Sequence, residues 1–135
     1  MIGLDTNITL RWLLNDAVIG AAEPDQKQMI DRLMNGQDQV FVNQIVLVEL
    51  VWILKNRARL SKSGIIELLN LLLAAENVVV HERAILLSSL SWYSLYPGDF
   101  TDHLIGETNR QSGCETTFTF DKAAAKSPNF SELKG

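Results

Sequence analysis

The 135-residue sequence has few of the residues on which several classes of functional site depend. It contains one cysteine and two histidines, too few for a zinc site built from the usual nitrogen and sulfur ligands. The lone thiol of Cys114 cannot form a disulfide within the chain, which fits the reducing environment of the cytoplasm. Any bound metal is therefore expected to be a hard cation held by carboxylates.

The chain also lacks long apolar runs and an excess of basic residues. No apolar run approaches the ~18 residues that span a bilayer, and we see no signal-peptide pattern, so we expect a cytoplasmic protein without a membrane partner. Lys and Arg number 12 against 16 Asp and Glu, giving a net charge of −4. This balance argues against a protein that only wraps nucleic acid, but not against an enzyme whose acids bind cations.

Short β-branched segments alternate with segments of helical periodicity. Strands are predicted at Ile2–Leu4, Val40–Val42, Val78–Val80 and Thr116–Phe120. Helices are predicted over 8–14 (with Thr6 or Asn7 as N-cap), 25–34, 43–57, from about 61 to 73, 82–95, 99–111 and 122–126, with a break at 15–24 and a tail at 128–135. The pattern predicts one domain, 1–135, with a three-layer α/β/α fold and a central, mostly parallel sheet.

Acidic residues follow the first and the last predicted strand. Asp5 and Asp121 stand at the carboxyl ends of these strands, where open parallel sheets place their ligand crevice. A plain N-cap is an equally good interpretation of Asp5. Asp102 stands three residues after Asp99, so the two either form a capping box or present a carboxylate from the first turn of a helix.

Glu49 is the only acid in the very apolar segment 43–57, which we predict to be a buried helix. A carboxylate there needs a metal, a hydrogen bond or a distant partner such as Arg11. Several carboxylates that converge would repel one another unless a divalent cation such as Mg²⁺ joined them. The chemistry that follows is metal-assisted hydrolysis of a phosphodiester, with water attacking phosphorus in line.

Four segments, Met1–Asn7, Val46–Trp52, Asp99–Ile105 and Thr117–Asp121, resemble the four acidic motifs of PIN-domain ribonucleases, and more narrowly those of VapC toxins of bacterial toxin–antitoxin systems. The resemblance implies that Asp5, Glu49, Asp102 and Asp121 are catalytic and bind Mg²⁺ or Mn²⁺. It implies supporting roles for Thr6, Thr119 and Asp99. It further implies a PIN-like nuclease domain, an RNA substrate, a cognate antitoxin and a homodimer.

Basic residues that could contact the RNA backbone are Arg11, Lys55, Arg57, Arg59, Lys62 and Arg110. A dimer surface could include Trp52, Ile65 and Leu69. His103 and Glu107 depart from the family pattern. We expect His103 to face solvent, with a position beside the substrate phosphate as the alternative, and Glu107 could add charge at the rim of the pocket. The alternatives are a catalytically silent PIN-like protein that binds RNA or a partner, and a phosphatase with an aspartate nucleophile. Asn7 disfavours the phosphatase, which needs a second acid there.

Overall fold

The computed structural model describes residues 1–14 and 24–135, and the predicted break at 15–24 lies almost wholly outside them. These residues form two compact units, Met1–His81 and Glu82–Gly135. That the chain is one domain remains a prediction. None of the helices described is long and apolar enough to cross a membrane.

The first unit is built on a parallel three-stranded sheet. Its strands are β1 (Ile2–Gly3), β2 (Val40–Val42) and β3 (Val78–Val80), in the order β1-β2-β3. Its helices are α1 (Thr6–Leu13), α2 (Pro24–Met34), α3 (Gln44–Asn56) and α4 (Lys62–Ala74). Helices therefore separate parallel strands, as the sequence predicts. The register pairs Ile2 with Val40 and Val40 with Val78.

Polar side chains cap the first turns of α3 and α4. The side chains of Asn43 and Ser61 accept hydrogen bonds from the backbone N–H groups of Val46 (2.9 Å) and Gly64 (3.2 Å), so each satisfies an otherwise unpaired donor. Ile65 and Leu69 of α4 are buried in the core. Neither can lie at a dimer surface, and the prediction for these two residues is wrong.

The second unit pairs two helices with a small parallel sheet. It contains α5 (Arg83–Leu95), α6 (Phe100–Gln111), β4 (Thr117–Thr119), a 3₁₀ helix (Ala124–Lys126) and β5 (Phe130–Glu132). Helices α5 and α6 pack on each other, and β4 pairs with β5. The predicted capping box at the start of α6 is confirmed.

Strand β5 replaces the predicted irregular tail. Its backbone pairs with β4, with Leu133 N–H donating to the Thr119 carbonyl at 2.9 Å. Phe130 is buried, and its ring lies so close to Gly106 that a Cβ there would sit 2.5 Å from it. Three residues with a single apolar side chain give almost no periodic signal. The strand forms because β4 supplies a partner and α6 offers a surface for the Phe130 ring.

Candidate active site

Asp5 lies directly after β1 and caps α1. Its Oδ1 accepts a hydrogen bond from the backbone N–H of Ile8 at 3.0 Å, so the N-cap is Asp5 and neither Thr6 nor Asn7. The carbonyl oxygen of Asp5 also accepts from the buried hydroxyl of Thr9 at 2.8 Å. A carboxylate has a second oxygen, so the cap fixes the side chain and leaves it able to bind a cation. Asp5 is exposed.

Glu49 is exposed, so the prediction of a buried carboxylate is wrong. The buried side of α3 consists of Val46, Leu47, Leu50, Val51 and Leu54. Ile45, Glu49 and Trp52 lie on the opposite side, at a spacing of four and three residues that keeps them on one face. The sequence of this helix is apolar on every side because the face that carries Ile45 and Trp52 is also largely apolar. In the structure that face is open to solvent.

A cleft of about 420 Å³ lies between α1 and α3. Thr6 and Asn7 line it from α1, together with Arg11, and Glu49 and Arg57 line it from the other side. Thr6, predicted to support the acids, and the candidate acid Glu49 therefore lie in one cleft. Thr6, the first residue in the chain that lines the cleft, directly follows Asp5. The cleft combines oxygen ligands for a cation with two guanidinium groups that suit phosphate.

The basic segment after α3 is exposed. Lys55, Arg57, Arg59 and Lys62 all lie on the surface of the first unit. Arg59 adopts a left-handed backbone conformation, with φ of 54°, in the turn between α3 and α4. Arg57 lies over the ring of Trp52, with Cζ 5.9 Å from the ring centroid.

Asp102 lies in the first turn of α6, where its Oδ2 accepts a hydrogen bond from the backbone N–H of Asp99 at 3.2 Å. A Cβ on Gly98 would lie 3.7 Å from this oxygen and 3.6 Å from the Cα of Ala124. Gly98 has φ of 110°, a conformation that glycine adopts readily. The Pro97-Gly98 turn therefore lies against both Asp102 and the start of the 3₁₀ helix.

Asp121 follows β4, and its carboxylate binds backbone N–H groups at the start of the 3₁₀ helix. Its Oδ1 accepts from the backbone N–H groups of Ala123 at 2.8 Å and Ala124 at 3.3 Å. The Thr119 hydroxyl accepts from the backbone N–H of Asp121 at 3.0 Å, so Thr119 fixes the turn that carries this acid. Asp121 is exposed, as Asp5 is, and in both acids one carboxylate oxygen accepts from the backbone while the side chain stays open to solvent.

Glu107 and His103 are both buried, contrary to expectation. Glu107 is 0% exposed and accepts hydrogen bonds from the side chains of Trp92 (2.8 Å), Gln111 (3.0 Å) and Asn129 (3.3 Å). Both Nε and Nη2 of Arg110 donate to it, at 3.1 and 2.8 Å. Glu107 therefore adds no charge to a pocket rim; it joins α5, α6 and the residue before β5.

The pKa of Glu107 is lowered from 4.5 to about 2, first by the hydrogen bond from Arg110 and then by those from Gln111 and Trp92, although burial opposes the shift. Glu107 in turn raises the pKa of Arg110. The spacing of three residues in a helix is a signal for this ion pair. No local signal indicates Asn129, which comes from a distant part of the chain.

His103 is 1% exposed, and its Nε2 lies 3.1 Å from the carbonyl oxygen of Pro97. The ring also lies near that of Tyr93, with centroids 6.1 Å apart. Burial follows from the helix geometry, because Phe100, His103, Leu104 and Glu107 share the buried side of α6. His103 thus holds the turn that precedes Asp102.

Each unit carries two of the four predicted acids, Asp5 and Glu49 in the first and Asp102 and Asp121 in the second. Within either unit, the described residues include no group of three His, Cys, Asp or Glu side chains that could hold a metal ion by themselves. The donors are carboxylate oxygens, and three of the four acids are exposed. This ligand chemistry fits Mg²⁺ or Mn²⁺.

Comparison with known proteins places the chain in a family. The sequence profile of the PIN domain matches residues 2–128, a range that contains all four acids. No curated protein matches the chain. The PIN domain has a nuclease-type α/β fold, and nucleases of this family commonly depend on a divalent metal. The predicted α/β/α fold class is confirmed by this match and by the parallel strands. Because the match covers most of the 135 residues, the chain belongs to the PIN domain family.

Proposed function

We propose that this protein is an endoribonuclease that needs Mg²⁺ or Mn²⁺ to hydrolyse RNA phosphodiesters. The observation that carries the proposal is the PIN domain match over residues 2–128, a range that contains the four candidate acids. The exposure of Asp5, Glu49 and Asp121 supports it, because a ligand can reach these carboxylates.

In this proposal Asp5, Glu49, Asp102 and Asp121 hold the cation. A bound divalent cation supplies Lewis-acid stabilisation of the developing charge at phosphorus. The chain's own contribution is to orient its ligands. The N–H of Ile8 fixes Asp5, the N–H of Asp99 fixes Asp102, and the N–H groups of Ala123 and Ala124 fix Asp121. Thr6 and Thr119 support these acids.

The deciding experiment compares the wild-type protein with Glu49→Gln on total cellular RNA, in Mg²⁺, in Mn²⁺ and in EDTA. Glu49 has no capping role in α3, and glutamine has nearly the same helix propensity, so the change removes a charge and little else. We expect cleavage by the wild type only with metal, and a loss of at least about tenfold in the variant.

Glu67→Gln is the matched control, because Glu67 is also an exposed glutamate inside a helix, α4. It should cleave as the wild type does. Cleavage that persists in EDTA, or that Glu49→Gln and Glu67→Gln retain equally, would contradict the proposed metal site. Binding of RNA with no cleavage under any condition would favour the silent PIN-like alternative.

Arg57 and Arg110 are expected to differ in their effect on RNA binding. Both side chains are exposed, but Arg110 donates two hydrogen bonds to buried Glu107, whereas Arg57 lines the cleft. If Arg57 contacts one phosphate, Arg57→Gln should reduce the slope of log affinity against log salt concentration by about 0.7. Arg110→Gln should leave that slope nearly unchanged and lower the stability instead, because Glu107 loses its cation.

Binding titrations in EDTA at several salt concentrations measure both slopes, and chemical denaturation measures both stabilities. An unchanged slope in Arg57→Gln would remove Arg57 from the proposed RNA contacts. A slope lowered equally in both variants would show that Arg110 reaches RNA despite its ion pair.

The proposed biological role is that of a cytoplasmic toxin, neutralised by a cognate antitoxin and active as a homodimer. It is supported by the resemblance of the four acidic motifs to those of VapC toxins. Among the predicted dimer residues only Trp52 is exposed.

A further inference from the structure

A second cleft, of about 360 Å³, adjoins the first on the surface of α3. Val48, Trp52 and Ile53 form its apolar lining, and Glu49 and Arg57 complete it. Glu49, Ile53 and Arg57 also line the first cleft, so the two clefts share one wall. An apolar recess therefore lies next to a polar cleft that holds a candidate metal ligand and two arginines.

Trp52 is unusual in its exposure. Its side chain is 56% exposed, although large aromatic side chains ordinarily bury most of their surface. The guanidinium of Arg57 lies over the ring, with Cζ 5.9 Å from the centroid, within the range of a cation–π contact. Proteins that bind single-stranded RNA use such exposed aromatic and arginine faces to stack bases, beside cationic groups that follow the backbone.

Charge and shape together indicate a nucleotide as the ligand of the two clefts. A nucleobase is flat and presents π faces to Trp52, while its phosphate carries the negative charge that Arg11 and Arg57 attract. The carboxylate of Glu49 lies in the shared wall. It would repel a phosphate in the absence of a cation, so this arrangement suits a nucleotide whose base enters the apolar recess and whose phosphate lies toward the arginines.

We propose that the cleft at Val48, Trp52 and Ile53 is a base-binding subsite, in which one unpaired RNA base stacks on Trp52 and the adjoining phosphate contacts Arg57 and Arg11. The proposal rests on the proposed function, since it takes RNA as the substrate. It adds a recognition element for single-stranded RNA next to Glu49.

The test measures binding of a fluorescently labelled single-stranded oligoribonucleotide by anisotropy, in EDTA so that no cleavage occurs. A second oligomer of the same length carries abasic sites, so it keeps the phosphates and lacks bases. We expect Trp52→Ala to weaken binding of the intact oligomer about tenfold or more and to leave binding of the abasic oligomer unchanged. Trp52→Phe keeps an aromatic face and should retain most of the affinity.

Leu71→Ala is the matched control, because Leu71 is a large apolar residue of α4 that is 59% exposed and lines neither cleft. It should bind both oligomers as the wild type does. Wild-type affinity of Trp52→Ala for the intact oligomer, or an equal loss for both oligomers, would overturn the proposal. So would sedimentation showing that Trp52 holds two copies of the chain together, with no effect of Trp52→Ala on RNA binding.

Cleavage assays on the same proteins in Mn²⁺ separate this inference from the proposed function. Base-dependent binding through Trp52 without any cleavage would support the subsite and contradict the nuclease. Metal-dependent cleavage with a KM that Trp52→Ala does not change would support the nuclease and overturn the subsite.

Discussion

Asp5→Asn is expected to lower the proposed metal-dependent RNA cleavage at least about a hundredfold, because in the proposed site this carboxylate helps bind the cation and contributes several kcal/mol to transition-state stabilisation. The substitution should not disturb the fold. Asp5 Oδ1 caps α1 through the N–H of Ile8 at 3.0 Å, and asparagine caps helices as well as aspartate does. Cleavage rate and thermal unfolding should be measured on the same preparation. We expect Asp5→Asn to have a lower cleavage rate than the wild type and the same midpoint of thermal unfolding.

Two further variants complete this comparison. Asp5→Ala removes both the charge and the cap, so it should lose activity and also about 1 kcal/mol of stability. Asp25→Asn changes an exposed acid in the first turn of α2 and should alter neither property by much. If Asp5→Asn cleaves RNA at the wild-type rate, Asp5 is only a helix cap and its proposed role in binding the cation is wrong.

Glu107→Gln is expected to lower the free energy of unfolding by about 1–3 kcal/mol, because donors packed against this buried side chain lose their acceptor. Oε1 accepts from Arg110 and Gln111, and Oε2 accepts from Trp92, Arg110 and Asn129. In glutamine an NH₂ group replaces one of the two oxygens. At either position, at least two hydrogen-bond donors of the neighbouring side chains would then point at another donor instead of an acceptor. Urea denaturation measures the loss, and Glu115→Gln, at an exposed glutamate in the same unit, should change stability little.

The pH dependence gives an independent test of the same cluster. The pKa of Glu107 is about 2 in the folded protein and 4.5 without its partners, because hydrogen bonds from Arg110, Gln111 and Trp92 favour the charged form. A lowered pKa stabilises the fold above the unfolded value, and that contribution disappears as the pH falls from 4.5 toward 2. Glu107→Gln should lack this part of the acid dependence. If the wild type and Glu107→Gln lost the same amount of stability between pH 4.5 and pH 2, this acid dependence would not come from Glu107.

The sequence by itself determined the fold class and the candidate acids. Alternating strands and helices produce a strong periodic signal, and the strands at Val40–Val42 and Val78–Val80 form where it places them. The acids after Ile2–Gly3 and Thr117–Thr119 follow from the same pattern, since each stands where a strand ends. Capping chemistry is also local, so the box at Asp99 and Asp102 was predictable.

Only the tertiary structure decided which side chains are buried and which are open. Glu49 is exposed and Glu107 is buried, the reverse of what their neighbours in sequence indicate, because burial depends on which helix face meets another element. Strand β5 likewise depends on a partner 13 residues away, with Thr117 pairing with Phe130. The hydrophobic periodicity of a sequence shows which faces of a helix are apolar, but it does not show which other elements pack against those faces.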